Sequence, residues 1–143
     1  MIVKTILSGK GGKVVTIEPT ANVADAANML AEKHIGALVV TGAEGRLVGI
    51  ISERDIVRAL ANRGNAALKL PLTDVMTRKV VTCGEDETLS VIMERMTQGK
   101  FRHVPVLDAD RLIGIISIGD VVKWRLEELQ HEQNALRDYI ATA

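Results

Sequence analysis

The sequence predicts an α+β fold: two pseudo-symmetric β-α-β-β-α units packed into one module, with a helical extension at the C-terminus. Three observations lead there. First, Arg46-Leu47-Val48-Gly49-Ile50-Ile51-Ser52-Glu53-Arg54-Asp55-Ile56-Val57 returns as Arg111-Leu112-Ile113-Gly114-Ile115-Ile116-Ser117-Ile118-Gly119-Asp120-Val121-Val122, eight of twelve positions being identical at an offset of 65. Repetition of this kind decides architecture before local propensity does. Second, both copies show the same succession of short apolar runs and amphipathic stretches. Third, the sequence runs from Val121 to the C-terminus without Gly or Pro.

The repeat extends upstream. Val15-Thr16 matches Val81-Thr82 and Val40 matches Val106, at an offset of 66. The one-residue change falls between Thr41-Gly42-Ala43-Glu44-Gly45 and the shorter Leu107-Asp108-Ala109-Asp110. Both read as turns, where a length change costs little.

In the first unit Val14–Ile17 is a short β-branched strand. Asn22 caps a helix over the Ala-rich run to Lys33, with Asp25 three residues on. Ile35–Val40 and Leu47–Ile51 are strands, and Ser52 opens a second helix. The second unit repeats this: a strand at Val80–Cys83, a helix from Thr88 stopped near Gly99, strands at Arg102–Leu107 and Leu112–Ile116, and a helix from Ser117. The predicted division is an N-terminal segment 1–13, a first unit 14–61, an inter-repeat segment 62–79, a second unit 80–126 and a helical tail 127–143. The inter-repeat segment is too apolar for a free linker. A unit of about 46 residues is marginal alone, so a shared core is expected.

Along the tail, Val122, Leu126, Leu129, Gln133, Leu136 and Ile140 are spaced 4, 3, 4, 3, 4. That is a heptad-like seam with one polar interruption. It predicts a homodimer, the alternative being a helix folded back over its own chain.

Composition narrows the function. The 18 basic and 18 acidic residues give no net charge, and Phe101, Trp124 and Tyr139 are the whole aromatic complement. Neither suits a nucleic-acid partner. No apolar run is long enough for a membrane span, and the N-terminus lacks a signal-peptide core. The single Cys83 excludes an intrachain disulfide and fits the reducing cytoplasm. No His/Cys cluster has metal spacing, and no nucleophile–base set can be assembled. A binding protein, not an enzyme, is expected.

Two polar pairs stand out: Ser52 with Asp55, and Ser117 with Asp120. Each fits a capping box. The same helix start can also dock a phosphate, while the carboxylate accepts from a ribose diol. Both readings are open at this level, and they can coexist. His34 and His131 read as solvated helix residues. Ser8-Gly9-Lys10-Gly11-Gly12-Lys13 is Gly-rich without the Gly-Lys-Ser/Thr of a phosphate loop, so a mobile terminus or a ligand-covering loop is expected. Cys83 reads as a small strand residue, and Met29, Met76, Met93 and Met96 as core filling.

Two units each ending Gly-Ile-Ile-Ser-x-x-Asp, with Phe101-Arg102-His103-Val104-Pro105-Val106 ahead of the second, resemble a tandem pair of CBS domains, the Bateman module, in its small stand-alone form. The likeness covers about residues 14–126. It implies a regulatory module with two clefts for adenosyl ligands such as AMP, ADP, ATP, S-adenosylmethionine or NAD(H). Carried over, cleft one joins Ser52, Arg54 and Asp55 to Thr77, Val80, Arg102, His103 and Pro105. Cleft two joins Ser117, Gly119 and Asp120 to Lys13, Val15, Gly36 and Ala37. The first unit departs from the pattern, because Gly36-Ala37 stands where the second has Arg102-His103, and Gly119 replaces Arg54. Cleft two is therefore expected to prefer another ligand, such as the dinucleotide NAD(H), with Lys10 or Lys13 supplying charge. The alternative is a ligand-free dimeric scaffold in which the Ser/Asp pairs are helix caps alone.

Overall fold

A computed structural model describes residues 1–142. Its elements are α1 (Val3–Lys10), β1 (Thr16–Ile17), α2 (Val23–Lys33), β2 (Ala37–Thr41), β3 (Leu47–Ser52), α3 (Glu53–Arg63), α4 (Leu89–Gly99), β4 (His103–Asp108), β5 (Arg111–Ser117) and α5 (Ile118–Thr142), with 3-10 turns between α3 and α4.

The two units repeat one register. Ala37 pairs with Ser52 in the β2–β3 ladder, and His103 pairs with Ser117 in the β4–β5 ladder. Both ladders shift at the same place, after Val40 and after Val106. The helices start as the sequence predicts. Asn22 and Asp25 form a full capping box, Ser52 and Asp55 form another, and the Thr88 hydroxyl accepts from the Val91 N–H. Each cap satisfies N–H groups that the first helical turn leaves without partners. Gly99 is still helical, and α4 ends instead at Lys100 in the left-handed region. A Cβ on Gly99 would collide with the edge of the Phe101 ring.

The units differ at their first strand. β1 runs parallel to β2, the Val39 N–H reaching the Val15 carbonyl at 3.4 Å. The strand expected at Val80–Cys83 shrinks to one bridge, between Cys83 and Val106. Pro105 holds the place of Val39, and proline has no N–H to make the equivalent rung. The neighbouring bonds survive: Cys83 N–H to Pro105 O at 3.0 Å and Leu107 N–H to Cys83 O at 2.9 Å.

The single shared core is not what forms. There are two clusters. One gathers Val23, Ala26, Leu38, Val40 and Ile51 with Leu72 and Met76 from the inter-repeat segment. The other gathers Leu89, Ile92, Val104, Val106, Ile116 and Val121 with Val3, Ile6 and Leu7 of α1. The segment preceding each unit thus crosses to close the other. Matching backbone bonds seat the two crossings: Val23 N–H to Leu70 O and Leu89 N–H to Met1 O, both at 3.0 Å. Of the Gly-rich stretch Ser8–Lys13, residues 8–10 form the last turn of α1, anchored by Val3, Ile6 and Leu7 in the core, and Lys10 and Lys13 reach the inter-unit cavity. Gly11, at φ 92°, ends α1 and returns its N–H to Leu7 O.

The apolar core also holds Met76, Met96 and Cys83, with Met29 and Met93 packed at its edges. Burial pushes the Cys83 thiol up to about 12, so it is a packing residue and not a nucleophile. α5 leaves the body after its first turns. Val122, Leu126, Leu129, Leu136 and Ile140 are all exposed, Leu126 at 61% and Ile140 at 65%. The helix does not fold back over its own chain.

Candidate functional site

Both Ser/Asp pairs sit at one end of their sheets, where a terminal strand gives way to a helix. The Asp55 carboxylate accepts from the Ser52 N–H at 2.9 Å and the Ser52 hydroxyl at 3.0 Å, both on Oδ2. Its Oδ1 accepts from the Thr77 hydroxyl at 3.2 Å. Asp120 repeats the first two contacts with Ser117, at 2.8 and 3.0 Å. The capping role is therefore real in both copies. Asp55 is 7% exposed, the one buried charged side chain among the described residues.

The two helix starts face one cavity of about 870 Å³. That lies at the upper end of the range of about 300–1,000 Å³ typical of small-molecule sites. The structure brings Ser52, Arg54, Asp55, Thr77, Val80, Arg102 and His103 onto its wall, together with Lys13, Val15, Gly36, Ala37, Ser117 and Gly119. Residues assigned to two clefts thus line one continuous space. Pro105 is off the wall, buried within β4. Asp120 is off it as well.

Asp120 is screened by a contact the sequence did not suggest. The Lys10 ammonium lies 2.6 Å from Asp120 Oδ2 and 2.8 Å from the Ile115 carbonyl. Burial raises the Asp120 carboxyl, but the Lys10 and Ser117 hydrogen bonds outweigh it and hold the group below its ordinary value. With side chains 27% and 17% exposed, the pair contributes only about 0–1 kcal/mol to stability.

The wall is strongly cationic. Lys10, Lys13, Arg54, Arg58, Lys79, Lys100 and Arg102 line it against Glu53 and Asp55, in a chain of zero net charge. Sequence reading missed Arg58, Lys79 and Lys100, because only folding gathers them. His34, expected as a solvated helix residue, caps α2 in the left-handed region and also reaches the wall. Arg54 bridges the units by donating from Nη1 to the Lys100 carbonyl at 2.7 Å. His103 faces Gly36, where a Cβ would lie 3.3 Å from its ring. Burial and the neighbouring Arg102 lower its pKa against the pull of Glu53, which favours the neutral imidazole.

At the start of α3 the Glu53 N–H donates to Gly36 O at 3.0 Å and the Asp55 N–H donates to Ser52 Oγ at 3.4 Å. Among the described residues no His, Cys, Asp or Glu group is arranged to hold a metal ion, and no helix is long and apolar enough to cross a membrane.

Duplication, matching registers and a cavity between the helix starts define a tandem-repeat module built around one inter-unit space. The chain belongs to the CBS-domain family, whose model matches residues 9–62 and 72–127. A CBS-domain protein of Agrobacterium tumefaciens shares its fold with a TM-score of 0.85 and 49% identity, over 87% of this chain and 99% of that one. A CBS-domain protein of Pyrobaculum aerophilum, solved with AMP, aligns with a TM-score of 0.75 at 29% identity, over 84% and 89% of the two chains. A mitochondrial CBS-domain protein of Arabidopsis thaliana is 35% identical over 81% of this chain. The chain spans 58% of that relative's length, and 69% of an uncharacterized Acidianus ambivalens protein with 36% identity over 80% of this chain.

Proposed function

We propose that this chain is a non-enzymatic regulatory module that binds an adenine nucleotide, AMP, ADP or ATP, in the inter-unit cavity. The observation that carries the reading is Lys13, Arg54, Arg58, Lys79, Lys100 and Arg102 against Glu53 and Asp55 around that space, beside the Lys10–Asp120 pair. Such a wall suits a phosphorylated ligand, and arginine suits it best through its planar fork of donors. Asp55 supplies the acceptor for a ribose diol, with Ser52 and Thr77 holding it in place. The AMP-bound relative, and a CBS pair solved with 5'-methylthioadenosine and S-adenosylmethionine, support an adenosyl ligand. NAD(H) in the second half has no support from its geometry, since Asp120 is paired with Lys10. Ligand binding would act by favouring one arrangement of the halves, or of two chains, over another.

Calorimetry with AMP, ATP and NADH tests this. Saturable binding of AMP or ATP is the expected result. No binding by any of the three would leave the second reading, a ligand-free scaffold. That reading is favoured by the Ser/Asp pairs being complete as caps.

The proposal extends to a homodimer through α5. With Val122, Leu129 and Leu136 at d and Leu126, Gln133 and Ile140 at a, Glu132 falls at g and Arg137 at e. A parallel pairing sets Glu132 against Arg137 of the second copy. An antiparallel one sets Glu132 against Glu132 and Lys123 against Arg137, so charge favours the parallel form. Light scattering on a chain lacking residues 127–143 should give a monomer where the full chain gives a dimer. A truncated dimer would place the main contact elsewhere.

A further inference from the structure

The closing segments make equivalent contacts in the two halves by different chemistry. In the first half Thr77 does two things. Its N–H donates to the Ile50 carbonyl at 2.9 Å, and its hydroxyl donates to Asp55 at 3.2 Å. In the second half the repeat equivalents of those acceptors are Ile115 O and Asp120. Both are taken by one group, the Lys10 ammonium, at 2.8 and 2.6 Å. A neutral pair of donors has been replaced by a cation.

The consequences for a ribose differ. Thr77 leaves Asp55 its negative charge, and Asp55 stands on the cavity wall. Lys10 neutralises Asp120 and itself stands on the wall where Asp120 does not. A diol donates more strongly to a carboxylate that keeps its net charge than to one already paired with an ammonium. The two carboxylates differ although both helix starts face the same cavity of about 870 Å³.

Resting on the nucleotide reading above, we propose that Lys10 determines the stoichiometry and placement of the ligand. It closes the Asp120 half to a ribose, so that the duplicated module takes one nucleotide, with its ribose on Asp55.

Lys10→Met is the decisive variant. It keeps the stem that packs along the cavity rim and removes the charge. α1 stays seated through Val3, Ile6 and Leu7, which are buried independently of Lys10. AMP is the probe, measured by calorimetry on the full chain. The wild type should bind one AMP per chain and Lys10→Met two. Asp55→Ala should weaken that one site on the order of tenfold or more in the wild-type background. In the Lys10→Met background it should leave one site, which Asp120→Ala then removes. Two AMP per wild-type chain would overturn the closure by Lys10 while leaving the nucleotide reading intact. A single site in both proteins would also overturn it. Absence of AMP binding in every variant would sink both readings together. Circular dichroism of Lys10→Met, expected to match the wild type, shows that a result of one site is not a folding defect.

Discussion

The two halves carry the same caps and ladders, yet each has lost something the other keeps. The first half keeps a two-residue parallel strand and, at Asp55, a carboxylate held by neutral donors and not by a cation, but has Gly36-Ala37 where the second presents Arg102-His103. The second half has the basic pair, but Pro105 has erased a rung and Lys10 has neutralised its carboxylate. Duplication supplies a symmetric frame. Single side chains at equivalent positions then make the halves unequal, one carrying a carboxylate with no cation on it and the other the basic pair.

Substitutions at paired positions break this comparison most sharply where ligand is involved. Asp55→Ala should weaken AMP binding on the order of tenfold or more, since hydrogen bonds to a charged group are worth about 1.5–3 kcal/mol. Asp120→Ala should leave AMP affinity within about twofold, by the closure argued above. Equal losses in calorimetry would show that the halves are alike.

Next come the two glycines at the crossings. A Cβ on Gly49 would lie 2.8 Å from both Met76 Sδ and the Thr77 carbonyl, whereas the three atoms nearest to one on Gly114 all belong to the Leu7 side chain, the first at 2.6 Å. Leu7 can turn away, and the Thr77 backbone cannot. Overpacking costs about 1–3 kcal/mol, so Gly49→Ala should sit near the top of that range and Gly114→Ala near the bottom in urea denaturation. The reverse order would mean that α1 is the more rigid closure.

Val39→Pro would give the first half the second half's defect. Losing the Val39–Val15 bond should cost about 0.5–1.5 kcal/mol and raise amide exchange at residues 16–17. Full protection there would show that the rung does not hold β1.

The smallest effect is on pH. Asp120 lies below its ordinary value when folded. The stability its pair contributes is present above the unfolded carboxylate value and is lost as pH falls through the folded one. In Lys10→Met, carbon NMR should find the Asp120 carboxyl moved up, since burial would then act without the ammonium. His103 runs to the same side: its folded pKa is depressed, so stability declines as pH falls below the ordinary histidine value near 6.5.

Most of the fold was legible because it is written twice. Ser52 and Ser117, Asn22 and Thr88 announce helix starts through local chemistry that tertiary context did not override. The missing strand was legible too, had Pro105 been set against Val39. α1 was harder. Its apolar positions, Val3, Ile6 and Leu7, are few, and the glycines after them pointed to a loop. The Lys10–Asp120 pair spans 110 residues. No periodicity encodes it, because it exists only once the N-terminal segment has crossed to the far unit. The wall's charge escaped for the same reason, since Arg58, Lys79 and Lys100 stand on three separate segments.

That crossing makes the halves hostages to one another's sequence. A cut at the exposed Gly64, after α3, would leave α1 with the first unit and Leu72 and Met76 with the second. Each fragment would carry the piece that completes the other and lack the piece that completes itself. Neither should fold alone, and the two mixed should reassemble as a split protein, so that complementation between separately made fragments reports directly on how the chain is threaded.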